Sequence, residues 1–456
     1  MRATRLSAIC SLGLSLKLLA CGESISVGID PVEESPGTPD ETLDLSALPP
    51  CPTAAEAAPQ VASPPPPELP MGWQRLPGSV SSSSGPWNAD AALDAEGHPV
   101  VATIDGQTRE TPYVHVWRWD GSAWLNVGPG LDAVAADGGS NDASRIPGEV
   151  SLAADAAGRP FVAWSEAEGA GVSSVYACAW DGAAWRQLGT GLRARPGAVA
   201  APSLRLDRNG SPTVAWSEIA AENGAVHVQV ASWADGGWRP VGDSPDAALH
   251  AELGPASNAG APSLRLDRQG APTVAWSESV PQPESPGKKT SSVHVARWNG
   301  AQWQRLGEAL GLGDGASLDL TAEGSPVVGW VVRSSFDGLR SLAFARWTGA
   351  EWVPLPSPGV GVQLDFVLDG GGRPVVAREV PDAQGTSFAL EVRRLAGETW
   401  ELLGTGLEAV SGSQTDTYQF MLAVDGADRA TVAWIEYLQP PKTRDNVCGL
   451  FVAQQR

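Results

Sequence analysis

The sequence predicts an all-β chain: a seven-bladed β-propeller of four-stranded antiparallel blades, closed by an N-terminal strand that completes the last blade. Three observations predict it. A motif recurs along the chain every 48 to 61 residues, paired Trp residues recur in five of the copies, and the two ends complement one another.

The first half of the repeat is clearest in Leu204 to Glu218 and its near-verbatim echo Leu264 to Glu278. Looser copies start near Leu93, Leu152, Leu318, Leu364 and Leu422, and the turn residue heading each is Asp94, Asp155, Asp207, Asp267, Thr321, Asp369 and Asp425. The Asp of this Asp-x-x-Gly-x-Pro turn reads as structural. Its side chain accepts a backbone N–H two residues on, with Gly in the left-handed position. Calcium needs six or more oxygens in one loop, and here there is usually one carboxylate per turn.

The second half is a pair of Trp five apart: Trp119 and Trp124, Trp180 and Trp185, Trp233 and Trp238, Trp298 and Trp303, Trp347 and Trp352, with Leu395 and Trp400 as the sixth copy. The Asp-Gly or Asn-Gly between several of them is a strong hairpin signal, since both turn residues take positive φ. Five more Trp (Trp164, Trp216, Trp276, Trp330, Trp434) recur in the strand after the Asp turn. Large flat side chains at fixed register suit stacking between sheets. Each unit thus supplies four short strands, of the types Ser203 to Leu206, Thr213 to Glu218, His227 to Trp233 and Trp238 to Gly242. A ring of such units leaves no open edges.

The ends set the count. The seventh unit stops at Arg456 after its third strand (Cys448 to Gln455), and Trp73 to Leu76 matches Trp303 to Leu306 residue for residue. The first strand is therefore expected beside the last, with the propeller spanning 71–456.

Upstream, residues 1–20 carry Arg2 and Arg5 and then an apolar stretch, which reads as a signal peptide. Leu18-Leu19-Ala20-Cys21 resembles the bacterial lipobox, which implies lipidation at Cys21 and a lipoprotein on the outer membrane or cell surface. The alternative is a secreted or periplasmic protein. Residues 21–70 hold nine acidic residues, no Lys or Arg, and the run Pro64 to Pro67, which predicts a disordered tether. Cys51 on that tether is placed within reach of Cys448, either as a disulfide or as free thiols.

Composition narrows function more than it names it. The chain has 456 residues, 42% of them apolar, and a net charge of −21. That supports a large core and argues against nucleic acid as a partner. No apolar run of about 20 residues occurs, so the membrane is reached through the lipid anchor alone. With five Cys and five His scattered, no metal and no cofactor is expected. His115, His227 and His294 read as ordinary polar residues early in strand three.

The acid ending strand two recurs as Asp105, Glu166, Glu218, Glu278 and Glu436. It lies toward the face carrying the strand 2–3 and strand 4–1 loops. The loops of most variable length are there, Ser279 to Ser291 and Gly242 to Ala261 among them, and variable loops on a rigid scaffold are where binding evolves. These acids, with Arg145, are the candidate ligand-binding residues. The bland reading of each acid is a hydrogen-bond acceptor within its own or the next blade.

The Trp119 to Gly128 hairpin resembles those of fucose-binding lectin propellers, which implies an Arg, a Glu and an aromatic residue holding a sugar between blades. Arg297, Glu278 and Trp298 supply such a set, although Ala179 and Ser232 stand where other units would need the Arg. Arg145-Ile146-Pro147 is similar to the opening element of sialidase propellers, which implies a carboxylate-binding Arg. Tyr437 adjoins Glu436, and neighbours in a strand point to opposite faces, so the sialidase nucleophile pair is not formed. The polar residues repeat with the blade period, as structural residues do, whereas catalysis wants a few groups in unlike environments. The expected function is therefore a non-catalytic, monomeric interaction propeller, binding a glycan in preference to a surface protein. A sialidase-like glycoside hydrolase and a structural envelope component are the alternatives.

Overall fold

A computed structural model describes residues 43–53, 69–78, 86–106, 112–132, 147–169, 171–220, 223–254, 256–282, 285, 288–333, 340–381, 388–407, 417–437 and 448–456. The leader with Cys21, and Arg145, lie outside these residues.

Strand β1 (Trp73–Arg75) precedes the repeats. Repeat one supplies β2 to β5 (Asn88–Leu93, Pro99–Gly106, Pro112–Trp119, Trp124–Asn126), and repeat two supplies β6 to β9 (Pro147–Ala154, Pro160–Gly169, Val172–Trp180, Trp185–Gln187). Repeat three forms β10 to β13 (Gly197–Leu206, Pro212–Ala220, Val226–Ala234, Gly237–Pro240). Helix α1 (Ala247–Leu253) and the short β14 (Asn258–Ala259) intervene before repeat four, β15 to β18 (Ser263–Leu266, Pro272–Pro281, Lys289–Trp298, Trp303–Arg305). Repeat five gives β19 to β22 (Asp314–Leu320, Pro326–Arg333, Arg340–Trp347, Trp352–Leu355). Repeat six gives β23 to β26 (Leu364–Leu368, Pro374–Pro381, Phe388–Ala396, Thr399–Thr405), and β27 to β29 (Thr417–Val424, Ala430–Tyr437, Cys448–Gln455) end the chain.

The chain is thus nearly all β, built of four-stranded antiparallel sheets. Repeats three and four share one sheet because β14 pairs parallel with β12 and antiparallel with β16. Six of the second strands open on Pro or follow a Pro-bearing turn, where the missing N–H costs no ladder bond. Their continuous apolar runs are buried on both faces, as Val100 to Ala102 and Val214 to Trp216 show. Trp164, Trp276 and Trp434 are among the largest fully buried side chains, and truncating any of them to Ala would cost about 3–5 kcal/mol.

The Asp turn forms as its residues dictate, whereas in the Trp hairpins both turn residues take positive φ only at Asp235-Gly236. After Asp120, Asp181 and Asn299 only the Gly does, and the side chains of those three accept the backbone N–H groups two and three residues on instead. Asp207 Oδ1 accepts the N–H groups of Asn209 at 2.9 Å and Ser211 at 2.8 Å, while Gly210 has φ +77°. In the last repeat Asp428 occupies the Gly position with φ +62°, a conformation Asp tolerates better than most residues. The hairpin Trp residues face one another directly across the strands, and Trp233 and Trp238 have ring centroids 5.4 Å apart. In four of the five pairs the second Trp also ties its sheet to the preceding repeat. Trp185, Trp238, Trp303 and Trp352 donate their indole N–H to the carbonyls of Val127, Leu188, Val241 and Leu306.

Trp73 behaves as one of this series. β1 pairs antiparallel with β29, with Trp73 opposite Gln455, and the Trp73 indole donates to the Leu403 carbonyl of repeat six at 2.8 Å. A second set of bonds links the first strands of successive repeats. Asp90, Ser151, Ser203 and Ser263 accept the backbone N–H of Leu152, Leu204, Leu264 and Leu318 respectively. Asp319 and Asp365 accept those of Leu368 and Leu422. Gln419 exchanges two bonds with the Ala89 backbone, which links the last repeat to the first. First strands of all the repeats line one cavity of about 500 Å³ containing Asp90, Arg205, Arg265, Asp319 and Asp365. Burial pushes Asp365 up to about 6 there and, with Arg265 alongside, Arg205 down to about 10.

The segment read as a tether differs in its middle. Leu45 is buried at 2% exposure among the side chains between repeats two and three. Residues 49–51 run along the outer edge of β9, with Cys51 N–H donating to Trp185 O and Gln187 N–H to Pro49 O. Cys51 is bonded to Cys178 of β8, and this corrects the expected proximity to Cys448. The reason is local. Overall composition favoured a spacer, but Leu43, Leu45, Leu48 and Cys51 carry enough apolar surface to dock on the nearest open strand edge.

Candidate functional site

The acids singled out by sequence are held inside the sheets. Asp105, Glu166, Glu218, Glu278 and Glu436 are all at most 2% exposed. Four of them accept the indole N–H of the Trp two positions earlier on the same strand. The distances are 2.6 Å for Trp164 to Glu166, 3.1 Å for Trp216 to Glu218, and 2.9 Å for both Trp276 to Glu278 and Trp434 to Glu436. Residues i and i+2 share a strand face, so the Trp-x-Glu spacing itself builds the bond. In repeat one Thr103 takes the indole's place, donating to Asp105 at 3.0 Å. Repeat six substitutes an ion cluster, in which Arg378 and Arg393 each contact Glu391 at 2.6 Å.

Other sequence candidates are not brought together. Arg297 donates to Thr273 Oγ1 at 3.1 Å and to the Gly324 carbonyl, whereas Glu278 lies five residues along the same strand, roughly 17 Å away. The lectin-like set with Trp298 therefore does not converge. His115 sits 3.5 Å from Asp105, and buried His294 is bonded to Ser292 at 2.8 Å, its pKa pushed down to about 4 by desolvation.

His227 is different, because an inserted loop comes to meet it. The linker between repeats three and four folds into α1, preceded by the fully buried Asp246. Asp246 Oδ2 lies 3.0 Å from His227 Nδ1, while its Oδ1 accepts the Val228 N–H at 3.1 Å and the Ser244 hydroxyl. His250, one helical turn after Asp246, stacks edgewise on His227 with ring centroids 4.4 Å apart. Its Nδ1 is 2.7 Å from the hydroxyl of fully buried Ser257. Glu278 closes the group from the repeat-four side. Burial first, then the nearby Asp246 charge, push its carboxyl up to about 7 against the pull of the Trp276 indole and Ser257. The bond to Asp246 raises the His227 pKa, whereas desolvation and His227 itself lower that of His250. Arg195, from the preceding junction, adds positive charge that acts on both imidazoles.

The arrangement gathers two imidazoles, two buried carboxyls, a hydroxyl and a guanidinium on one junction. Four of them, Asp246, His250, Ser257 and Arg195, come from linkers between repeats, where no repeated pattern marks them. The signal available in the sequence was the length of the Gly242 to Ala261 loop and the three acids and one His it carries. Beside α1, a separate pocket of about 310 Å³ opens between Gly242, Trp298, Trp303 and Arg305.

No protein-family model and no curated protein matches this sequence. Solved structures do match. An ulvan lyase from a new family of polysaccharide lyases superposes with a TM-score of 0.52 at 14% identity, covering 82% of this chain and 93% of its own. The same kind of lyase bound to -[GlcA(1-4)Rha3S]- gives 0.51 at 13%, covering 83% and 94%. An α-L-arabinanase of Penicillium chrysogenum complexed with arabinobiose gives 0.45 at 12%, covering 83% and 96%. The similarity is one of fold, shared with carbohydrate-active enzymes.

This finding corrects the expectation of a non-catalytic binding protein. That expectation took most notable polar residues to repeat with the blade period. At the junction of repeats three and four, loop residues outside the period place a titratable group in an environment unlike those of its copies, as catalysis requires. Among the described residues no helix is long and apolar enough to cross a membrane.

Proposed function

We propose that the protein is a glycan-processing enzyme carried on a closed seven-bladed propeller, with its working site at the junction of repeats three and four. One observation carries the reading: His227, Asp246, His250 and Glu278 converge there with Arg195 nearby. The set supplies groups that give and take a proton near neutrality and a fixed positive charge. Cleaving a sugar chain needs both kinds. Elimination at a uronate needs a base for the carbon-bound proton and a cation to hold the carboxylate, and hydrolysis needs an acid for the departing oxygen. The polysaccharide lyases of similar fold favour an acidic polysaccharide as substrate.

Support for the ring comes from the seam. β1 pairs with β29, the Trp73 indole reaches repeat six, and Gln419 ties repeat seven to Ala89. First strands from every repeat face one cavity. Export by residues 1–20 and lipidation at Cys21 would hold the enzyme at a bacterial envelope, where polysaccharide is encountered.

The test is to incubate the full chain with acidic and neutral polysaccharides and follow new reducing ends together with the ultraviolet absorbance of an unsaturated uronate. Elimination produces both signals and hydrolysis only the first. Loss of turnover in Arg195→Ala, with unchanged circular dichroism, supports the assignment. Turnover that survives both Arg195→Ala and Glu278→Gln removes the site from this junction, and no cleavage across the panel removes the enzymatic reading.

A further inference from the structure

We propose that His227, Asp246 and His250 form a binding site for a borderline-soft divalent transition metal, with zinc as the reference ion. Among the described residues, two groups bring three possible ligand atoms within 4.8 Å of one another, and this is one of them. The donors are two imidazole nitrogens and one carboxylate oxygen. That mixture suits zinc and its neighbours in the first transition row, and it lacks the six or more oxygens that calcium requires.

The geometry fits from the inside outward. Bonds of about 2.0–2.1 Å at tetrahedral angles place neighbouring ligand atoms roughly 3.3 Å apart, and His227 Nδ1 lies 3.0 Å from Asp246 Oδ2. The outer partners orient each ligand. Val228 N–H and the Ser244 hydroxyl occupy Asp246 Oδ1, which turns Oδ2 inward. Ser257 occupies His250 Nδ1, so Nε2 is the ring nitrogen left to bind a metal. The ligands also sit on stiff supports, since His227 belongs to β12, His250 to α1, and Asp246 immediately precedes α1, one turn before His250. Asp246 and Glu278 place two buried carboxyls close enough to repel, and Glu278 Oε1, at a residue 1% exposed, has no hydrogen-bond partner. A dication offsets that charge.

The second group, Asp94, Glu96 and His98, serves as a contrast. Asp94 Oδ1 is taken by the N–H groups of Glu96 and His98, and Oδ2 by the Arg118 guanidinium at 3.0 Å. A cation is already in place there, and the Asp is spent on its turn.

Three protein ligands leave a fourth position for water or a sugar oxygen. In that role the inference rests on the proposed glycan-processing site, where the metal would supply positive charge toward a substrate carboxylate. Metal binding itself is independent of that reading.

The untagged full chain, stripped with a chelator, should take up one Zn²⁺ per chain by calorimetry and by elemental analysis after dialysis. Binding should raise the unfolding temperature. Co²⁺ in its place should show the visible absorption of a four-coordinate site. His250→Ala should abolish uptake, Ser257→Ala should weaken it by about 10- to 100-fold, and His98→Ala should leave it unchanged. Should His250→Ala fail to fold, Ser257→Ala and the Co²⁺ spectrum of the unaltered chain still decide. Absence of Zn²⁺ uptake by the unaltered chain, or undiminished uptake in folded His250→Ala, overturns the proposal. Uptake without any polysaccharide turnover would uphold the metal site and overturn the enzymatic reading alone.

Discussion

The junction between repeats two and three and the junction between repeats three and four are framed by almost the same strands. Thr213-Val-Ala-Trp-Ser-Glu218 and Thr273-Val-Ala-Trp-Ser-Glu278 are identical, and in both the Trp indole donates to the Glu. The linkers differ. At the first junction the short segment after Gly189 turns its own backbone inward, and the Ala194 N–H donates to Glu218 at 2.7 Å. At the second, the longer linker folds α1 over the site and brings Asp246 up to Glu278. One buried carboxylate gains a backbone donor, and the other gains Ser257 together with a second negative charge. The repeat thus provides identical sockets, and the linker decides which of them becomes chemical.

Exchanging the linkers tests this most severely. Replacing residues 243–257 by residues 190–195 should lower turnover by about 100-fold or more, while circular dichroism stays that of a β protein. Retained turnover would show that the strands alone suffice. Next come the glycines that open the two linkers. A Cβ on Gly242 would lie 2.4 Å from Trp298 Cζ3 at φ +64°, whereas one on Gly189 would lie 3.1 Å from Trp238 Cδ1 at φ +70°. Gly242→Ala should cost about 3 kcal/mol and Gly189→Ala about 1–2 kcal/mol by denaturant unfolding. Equal losses would mean that the two linkers leave their strands in the same way.

The carboxyls differ with pH. The Glu278 value in the folded chain is raised from 4.5 to about 7, so ionising it costs more in the folded than in the unfolded state. The penalty is absent below about pH 4.5 and complete above pH 7. Glu278→Gln should therefore stabilise the protein by about 2 kcal/mol at pH 8 and leave it unchanged at pH 4. Glu218→Gln, which weakens two bonds to a carboxylate, should instead destabilise by about 1 kcal/mol at pH 8. Thermal unfolding of both variants across pH reads the difference in sign. The smallest effect concerns the rim, where Arg305 and Glu252 join β18 to α1 at 3.0 Å with Glu252 57% exposed. Arg305→Ala should change stability by less than about 1 kcal/mol in urea titrations.

The sheets were legible because the features that write them are periodic. Asp turns, Pro at strand entry, paired Trp and the Trp-x-Glu spacing each fix a local geometry without reference to distant residues. The partnership of Trp73 with the last strand was legible for the same reason, since it repeats Trp303 to Leu306. The site was legible only in part. Glu278 and the Gly242 to Ala261 loop stood out, but the meeting of His250 and Asp246 with His227 depends on how one non-repeating linker folds. Likewise Asp90, Ser151 and Ser203 tie adjacent repeats through bonds that span 53 to 62 residues, and no local pattern marks a bond of that reach. Cys51 was misassigned because an averaged composition hides three leucines.

The covalent link from Cys51 to Cys178 has a mechanical meaning. A pull entering the described structure at Leu43 is taken up by the framework of repeat two, through a bond that does not yield to shear, before any strain reaches Trp73. Without that link the same load would pass along the chain to a three-residue strand held by its ladder to β29. Load applied at Leu43 and the pairing of β1 with β29 are thereby decoupled.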